Sequence, residues 1–304
     1  MKKLLVVLLG TTFAFIFTAS ELVLASAHEI SLGLSHRIDN EGEEYSVNVY
    51  LPASYSKEEV ESYPVIYLID GGVDQDFKHI AGLVSLASIN PYVFREAIVV
   101  GVETKRRLFE LTSINIDPRY DRPEGTVGGA DAFRAFLTSR VIPFTEKTYR
   151  TDGRRIVMGE SLAGLFIIET LLKKPDSFTD YVAISPSLWY DDRNLAKSAT
   201  KLLGKHSDGG RKLYITMANE GGTMQKGLDE LRLAIEQSSL KNLQVKYVDN
   251  SQTESHWSIY HGEALSALRW ILPAVEPEYA NDPDPWYLVE GANPPDWEVP
   301  KQKD

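Results

Sequence analysis

The chain of 304 residues contains no cysteine. That excludes a disulfide framework, thiolate zinc sites, iron–sulfur clusters and a cysteine nucleophile. Basic charge is also scarce, with 32 Lys and Arg against 43 Asp and Glu and a formal net charge of -11. Such a balance argues against nucleic acid as a partner, because binding a phosphate backbone requires basic surface that displaces counterions. Long apolar runs are missing except near the start, which excludes a polytopic membrane protein. What remains is the composition of an ordinary globular chain, long enough for a large core that needs no metal or disulfide staple.

The one apolar run belongs to a targeting signal. Lys2 and Lys3 precede Leu4–Ala19, and Ala25-Ser26-Ala27 offers small residues for a signal peptidase. The run is shorter than a membrane span requires, so residues 1–27 read as a removable signal peptide rather than a retained anchor. Cleavage leaves 30 basic against 42 acidic residues. The expectation is an exported protein, periplasmic or secreted, with no stable membrane insertion after cleavage. Nothing in the sequence states its oligomeric state.

From residue 28 to residue 273 the pattern is that of one α/β domain. Tyr45–Leu51, Pro64–Ile69, Ala97–Val102, Ile156–Met158, Tyr181–Ile184, Lys212–Met217 and Leu243–Val248 read as strands. Most are apolar on both faces and separated by helical segments, which predicts a mostly parallel sheet covered on both sides. Helical periodicity marks Phe133–Phe144, with Pro143 predicting a kink or a second short helix. It also marks Leu162–Lys174, Leu228–Ile235 and Ala264–Leu272. Residues 274–304 form a tail rich in proline, with Trp286 and Trp297.

Gly159-Glu160-Ser161-Leu162-Ala163-Gly164 lies between a short strand and a helix, the setting of a nucleophile elbow. In that tight turn the residues two before and two after the serine face each other closely. Gly159 suits this, while Ala163 stands where the motif has glycine. Ser161 is the candidate nucleophile, and the Leu162 backbone N–H at the helix start can donate to an oxyanion. The partners of such an elbow follow in the order acid, then histidine. Of six histidines, His206, His256 and His261 follow Ser161. His256 sits between the last strand and the last helix and is the candidate base. His206 reads as a surface loop residue and His261 as a polar helix residue. Glu220, after the strand Lys212–Met217, is the best-placed acid, with Asp249, Glu254 and Asp229 as competitors. A second oxyanion donor is expected from Gly72 or Val73 in the Asp70-Gly71-Gly72-Val73 turn.

Together with Tyr63–Gly71, Arg106–Thr112, Gly128–Phe133, Ser185-Pro186-Ser187-Leu188-Trp189 and Glu254–Ser258, these motifs resemble the "Putative esterase" family of α/β-hydrolases. The similar segments run from about Ser31 to Ile271. The resemblance is closest to the periplasmic siderophore-esterase-like branch of that family. It implies the α/β-hydrolase fold, Ser161 as nucleophile, His256 as base and, less strongly, Glu220 as acid. It implies hydrolysis of a small-molecule ester through an acyl-enzyme, with no metal and no organic cofactor. A siderophore substrate would be anionic and aromatic. Lys105-Arg106-Arg107 with Arg119 and Arg122 could then supply local charge, and Trp189 with Tyr190 could stack on a ring. A general short-chain carboxylesterase, an acyltransferase of the same fold and a non-catalytic binding protein are the alternatives.

Overall fold

The computed structural model describes residues 31–55, 60–89, 93–207, 209–274 and 291. The expected signal peptide and nearly all of the expected tail lie outside the described residues. Eight strands form one sheet: β1 (Leu34–Asn40), β2 (Glu43–Tyr50), β3 (Tyr63–Ile69), β4 (Ile98–Val102), β5 (Thr151–Glu160), β6 (Asp180–Ile184), β7 (Arg211–Met217) and β8 (Leu243–Asp249). Their spatial order is β1-β2-β4-β3-β5-β6-β7-β8. The pairs β1–β2 and β2–β4 are antiparallel, and every other neighbouring pair is parallel.

Strand composition explains the layers. In β3 successive side chains alternate between faces, so Val65, Tyr67 and Ile69 join one core while Ile66 and Leu68 join the other. Both faces are covered, and every residue of β3 is buried. On the second face lie α1 (Phe77–Ile89), contributing Ile80 and Val84, and a C-terminal helix at Ile259–Ile271, contributing Leu268. On the first face lie α2 (Arg107–Leu111), α3 (Ala130–Phe136), α4 (Ile142–Thr148), α5 (Leu162–Lys173), α6 (Tyr190–Lys197), α7 (Ala199–Leu203) and α8 (Gly222–Glu236). The C-terminal helix is α9.

The break expected near Pro143 takes a definite form. A π-helical turn at Leu137–Val141 joins α3 to α4 without leaving the helical backbone, the Ile142 N–H donating to the Leu137 carbonyl, and Pro143, which has no N–H to donate, follows in the first turn of α4. The fold also contains elements that the hydrophobic pattern did not announce: the exposed edge strand β1, the polar first half of β5, and α1, α2, α6 and α7. Among the described residues no helix is long and apolar enough to cross a membrane.

Candidate active site

Parallel strands bring their C-terminal ends, and the loops that follow, to one edge of the sheet. Ser161 follows β5, Glu220 follows β7, and His256 lies between β8 and α9. Ser161 has φ 60° and ψ -116°, a conformation that L-residues rarely adopt, and α5 starts at the next residue. The turn is as crowded as its motif suggests. A methyl placed on Gly159 would lie 2.6 Å from the Cβ of Ala163. Only one of the two facing positions can carry a side chain, and here it is Ala163.

The structure brings the three residues into one hydrogen-bonded chain. His256 Nε2 is 3.0 Å from Ser161 Oγ, and His256 Nδ1 is 2.7 Å from Glu220 Oε1. Glu220 Oε1 also accepts the hydroxyl of Ser185. Burial pushes the Glu220 carboxyl up, but the hydrogen bonds from His256 and Ser185 outweigh it and hold the carboxyl below its ordinary value. The hydrogen bond to Glu220 raises His256 above the usual histidine value against the opposing effect of burial. The competing acids have other partners: Asp249 accepts the Ser251 N–H, Glu254 accepts the Ser258 hydroxyl, and Asp229 accepts from Gln225. His206 bonds the Leu172 carbonyl oxygen rather than standing free in solvent, and His261 meets His79.

The two expected oxyanion elements differ in their present engagement. Leu162 opens α5, so its N–H has no preceding helical turn to bond. The Gly72 N–H donates to the Gln75 side-chain carbonyl at 2.9 Å, and Gln75 is itself anchored on Thr104. Of the two candidates in this turn, Val73 is the one whose N–H makes no hydrogen bond among the described residues, and the residue is 44% exposed.

The basic cluster divides. Lys105 and Arg106 turn to Glu43 and stack over Tyr45 and Phe109, respectively. Arg107 alone turns toward the elbow. Its Nε donates to Asp70 Oδ2 at 2.8 Å, and a guanidinium NH₂ approaches the Glu160 carbonyl oxygen at 3.4 Å. Arg119 is neutralised by Asp117 and Asp192. Trp189 is 36% exposed and stacks on Tyr120. Trp257, next to His256, is 89% exposed.

Glu160 was visible in the elbow motif, but its setting was not. Its Oε1 is buried without a partner among the described residues. Burial, then the charge of nearby Asp76, pushes its carboxyl up to about 7, while His256 and Arg107 act against the rise and Glu220 adds to it. Asp76 is itself raised to about 6 by burial and by Asp70. The buried Tyr260 hydroxyl from α9 faces the same carboxylates. A carboxyl raised in the folded state contributes stability that is full below its ordinary value and lost as pH climbs through about 7. Glu160→Gln is therefore expected to stabilise the protein at pH 8 by about 1–3 kcal/mol, and by much less at pH 5. Thermal melts of both proteins at the two pH values check this; an equal difference at both would contradict it. Among the described residues no group of three or more His, Asp or Glu side chains is placed to hold a metal ion.

The geometry now has relatives to stand beside. A family model described as "Putative esterase" matches residues 38–270. The chain is 26% identical over 285 residues to the ferri-bacillibactin esterase BesA of Bacillus subtilis, covering 86% of this chain and 93% of that one. It is 27% identical over 168 residues to the siderophore triacetylfusarinine C esterase of Aspergillus fumigatus, covering 50% of this chain and 54% of that one. Its backbone resembles the crystal structure of a BES protein from Bacillus cereus with a TM-score of 0.71 at 24% identity, over 82% of this chain and 99% of that one. The chain belongs to the "Putative esterase" family: it is an ester hydrolase on the α/β-hydrolase fold, similar to siderophore esterases.

Proposed function

We propose that this esterase works through a covalent acyl-enzyme on Ser161, with His256 as general base and acid and Glu220 as the group that orients the imidazole. The observation that carries the reading is the unbroken chain from Ser161 Oγ through His256 to Glu220, with contacts of 3.0 and 2.7 Å. With Glu220 ionised, His256 carries its proton on Nδ1 and offers Nε2 as an acceptor. Ser161 Oγ attacks the ester carbonyl as its proton passes to Nε2. The resulting oxyanion takes hydrogen bonds from the Leu162 N–H and, across the cleft, from the turn holding Gly72 and Val73. Because the Gly72 N–H is held by Gln75, Val73 is the proposed second donor. His256 protonates the leaving alcohol, then activates water, and the C–Oγ bond breaks as the proton returns to Ser161.

The proposed substrate is an oligo-ester siderophore. The names of the relatives support it, as do the exposed Trp189 near the elbow, which could stack on a ring, and Arg107 reaching the elbow. One observation favours a second reading, a short-chain carboxylesterase. Lys105, Arg106, Arg107 and Arg119 are each already paired with a carboxylate, which leaves less charge for an anionic ligand. Turnover of ferric catecholate and hydroxamate ester siderophores beside p-nitrophenyl acetate and butyrate separates the two. The siderophore reading predicts kcat/KM for one siderophore at least about ten-fold above either simple ester, a difference of about 1.4 kcal/mol in transition-state binding. Turnover of the simple esters alone would contradict it. The reading includes export, supported by Lys2, Lys3, the apolar run and Ala25-Ser26-Ala27, and checked by the N-terminal sequence of the exported protein.

A further inference from the structure

The turn after β6, Ser185-Pro186-Ser187, is laced to the nucleophile elbow. The Ser161 N–H donates to the Ile184 carbonyl at 3.0 Å, and the Ser187 N–H donates to the Ser161 carbonyl at 2.9 Å. The first turn of α5 lies so close that a methyl on Gly164 would sit 3.0 Å from the Cα of Pro186. This docking buries Ser187 to 2% exposure and sets its Oγ 3.2 Å from Ser161 Oγ. Ser185, at φ 42°, directs its own hydroxyl to Glu220.

The direction of the Ser187 contact follows from counting protons. The Glu220 carboxyl lies below its ordinary value and is an acceptor only. In the neutral form that the proposed reaction uses, His256 therefore donates from Nδ1 and accepts at Nε2. The single Ser161 hydroxyl proton goes to Nε2. The proton in the contact between Ser161 and Ser187 must then come from Ser187. Ser187 Oγ has no other hydrogen-bond partner among the described residues, and its burial leaves little access to solvent.

We infer that Ser187 is a further catalytic residue whose hydroxyl donates to Ser161 Oγ, the atom that is nucleophile in acylation and leaving group in deacylation. The inference rests on the proposed acyl-enzyme reading. In the two half-reactions the contact has different worth. In the free enzyme Oγ already accepts this hydrogen bond, so the acylation transition state gains little more from it. In the acyl-enzyme Oγ is an ester oxygen and a poor acceptor. As the C–Oγ bond breaks in deacylation, partial negative charge returns to Oγ while His256 delivers the proton, and the Ser187 hydrogen bond strengthens relative to the acyl-enzyme. Ser187 keeps its own proton throughout.

The test is pre-steady-state hydrolysis of p-nitrophenyl acetate by the full-length protein and its Ser187→Ala variant. The expected result is a retained burst with acylation within about three-fold of the parent, and deacylation slowed about ten-fold, the worth of one neutral hydrogen bond. An unchanged thermal midpoint accompanies it. Deacylation within about two-fold of the parent, or equal slowing of both half-reactions, would overturn the inference. Ser187→Cys, of nearly the same shape but a weaker donor, covers the case in which the alanine variant does not fold. It is expected to slow deacylation alone, and an unchanged deacylation rate in it overturns the inference equally. Ser161→Ala run in parallel separates the two levels: if it still turns over ester, the acyl-enzyme reading itself has failed. If it is inert while Ser187→Ala behaves as the parent, only the inference about Ser187 has failed.

Discussion

Ser161→Ala is expected to lower kcat for any ester substrate by about a million-fold, to the level set by binding and oxyanion donors alone. The expectation rests on position. Ser161 is held in a left-handed conformation between β5 and α5, hydrogen-bonded to His256, with the Leu162 N–H beside it. No other serine in that cluster can take over. Ser187 is the nearest hydroxyl, but its contact runs to Ser161 rather than to His256. The variant should fold, because the strained backbone at φ 60° is imposed by the packing of Gly159 against Ala163 and by hydrogen bonds to Ile184 and Ser187, none of which uses the serine hydroxyl. Steady-state rates and a thermal melt check both halves. A folded variant with more than about one-hundredth of the parent rate would remove Ser161 from the mechanism.

Glu220→Gln carries the second largest expected effect, a loss of kcat of about ten-thousand-fold. The carboxylate accepts from His256 Nδ1 and from Ser185 at the same oxygen. An amide there can present its NH₂ group to the ring, which favours the tautomer protonated at Nε2 and removes the acceptor that Ser161 needs. The charge also matters. The hydrogen bond to Glu220 is the largest cause of the raised His256 value, and the proposed mechanism requires neutral His256. The acid limb of kcat/KM in the parent should therefore lie above the unperturbed histidine value of about 6.5, and in the variant it should move down. Glu160, whose charge also raises His256, keeps part of the elevation. A variant with an unshifted acid limb and a rate within about ten-fold of the parent would assign the acid's role elsewhere.

Much of this site was legible because its parts are local. The elbow is six consecutive residues between an apolar strand and an apolar helix. Read along the chain, Glu220 falls after the strand Lys212–Met217 and His256 between the last strand and the last helix, the places such a fold uses. The buried strands were legible for the same reason: Pro64–Ile69 and Ala97–Val102 are apolar on both faces. Strand β1 was not, since Ser35, Arg37 and Asp39 face solvent at the sheet edge and leave no apolar alternation. The direction of Arg107 was hidden as well. Three consecutive basic residues read as one cluster, but α2 begins within them and sends Lys105 and Arg106 to Glu43 and Arg107 to Asp70. Ser185 and Ser187 stand in the segment Ser185–Trp189, yet their hydroxyls acquire meaning only when β6 lies beside β5 and the two following turns meet. The raised carboxyl of Glu160 likewise depends on its burial and on Asp76 and Glu220 arriving from other elements.

The most direct measurement is the site of covalent labelling by a fluorophosphonate probe, read by peptide mapping of the intact protein. The account predicts stoichiometric phosphonylation of Ser161, abolished in Ser161→Ala and strongly slowed in His256→Ala. Labelling at any other residue, or an absence of labelling in protein that hydrolyses esters, would contradict it.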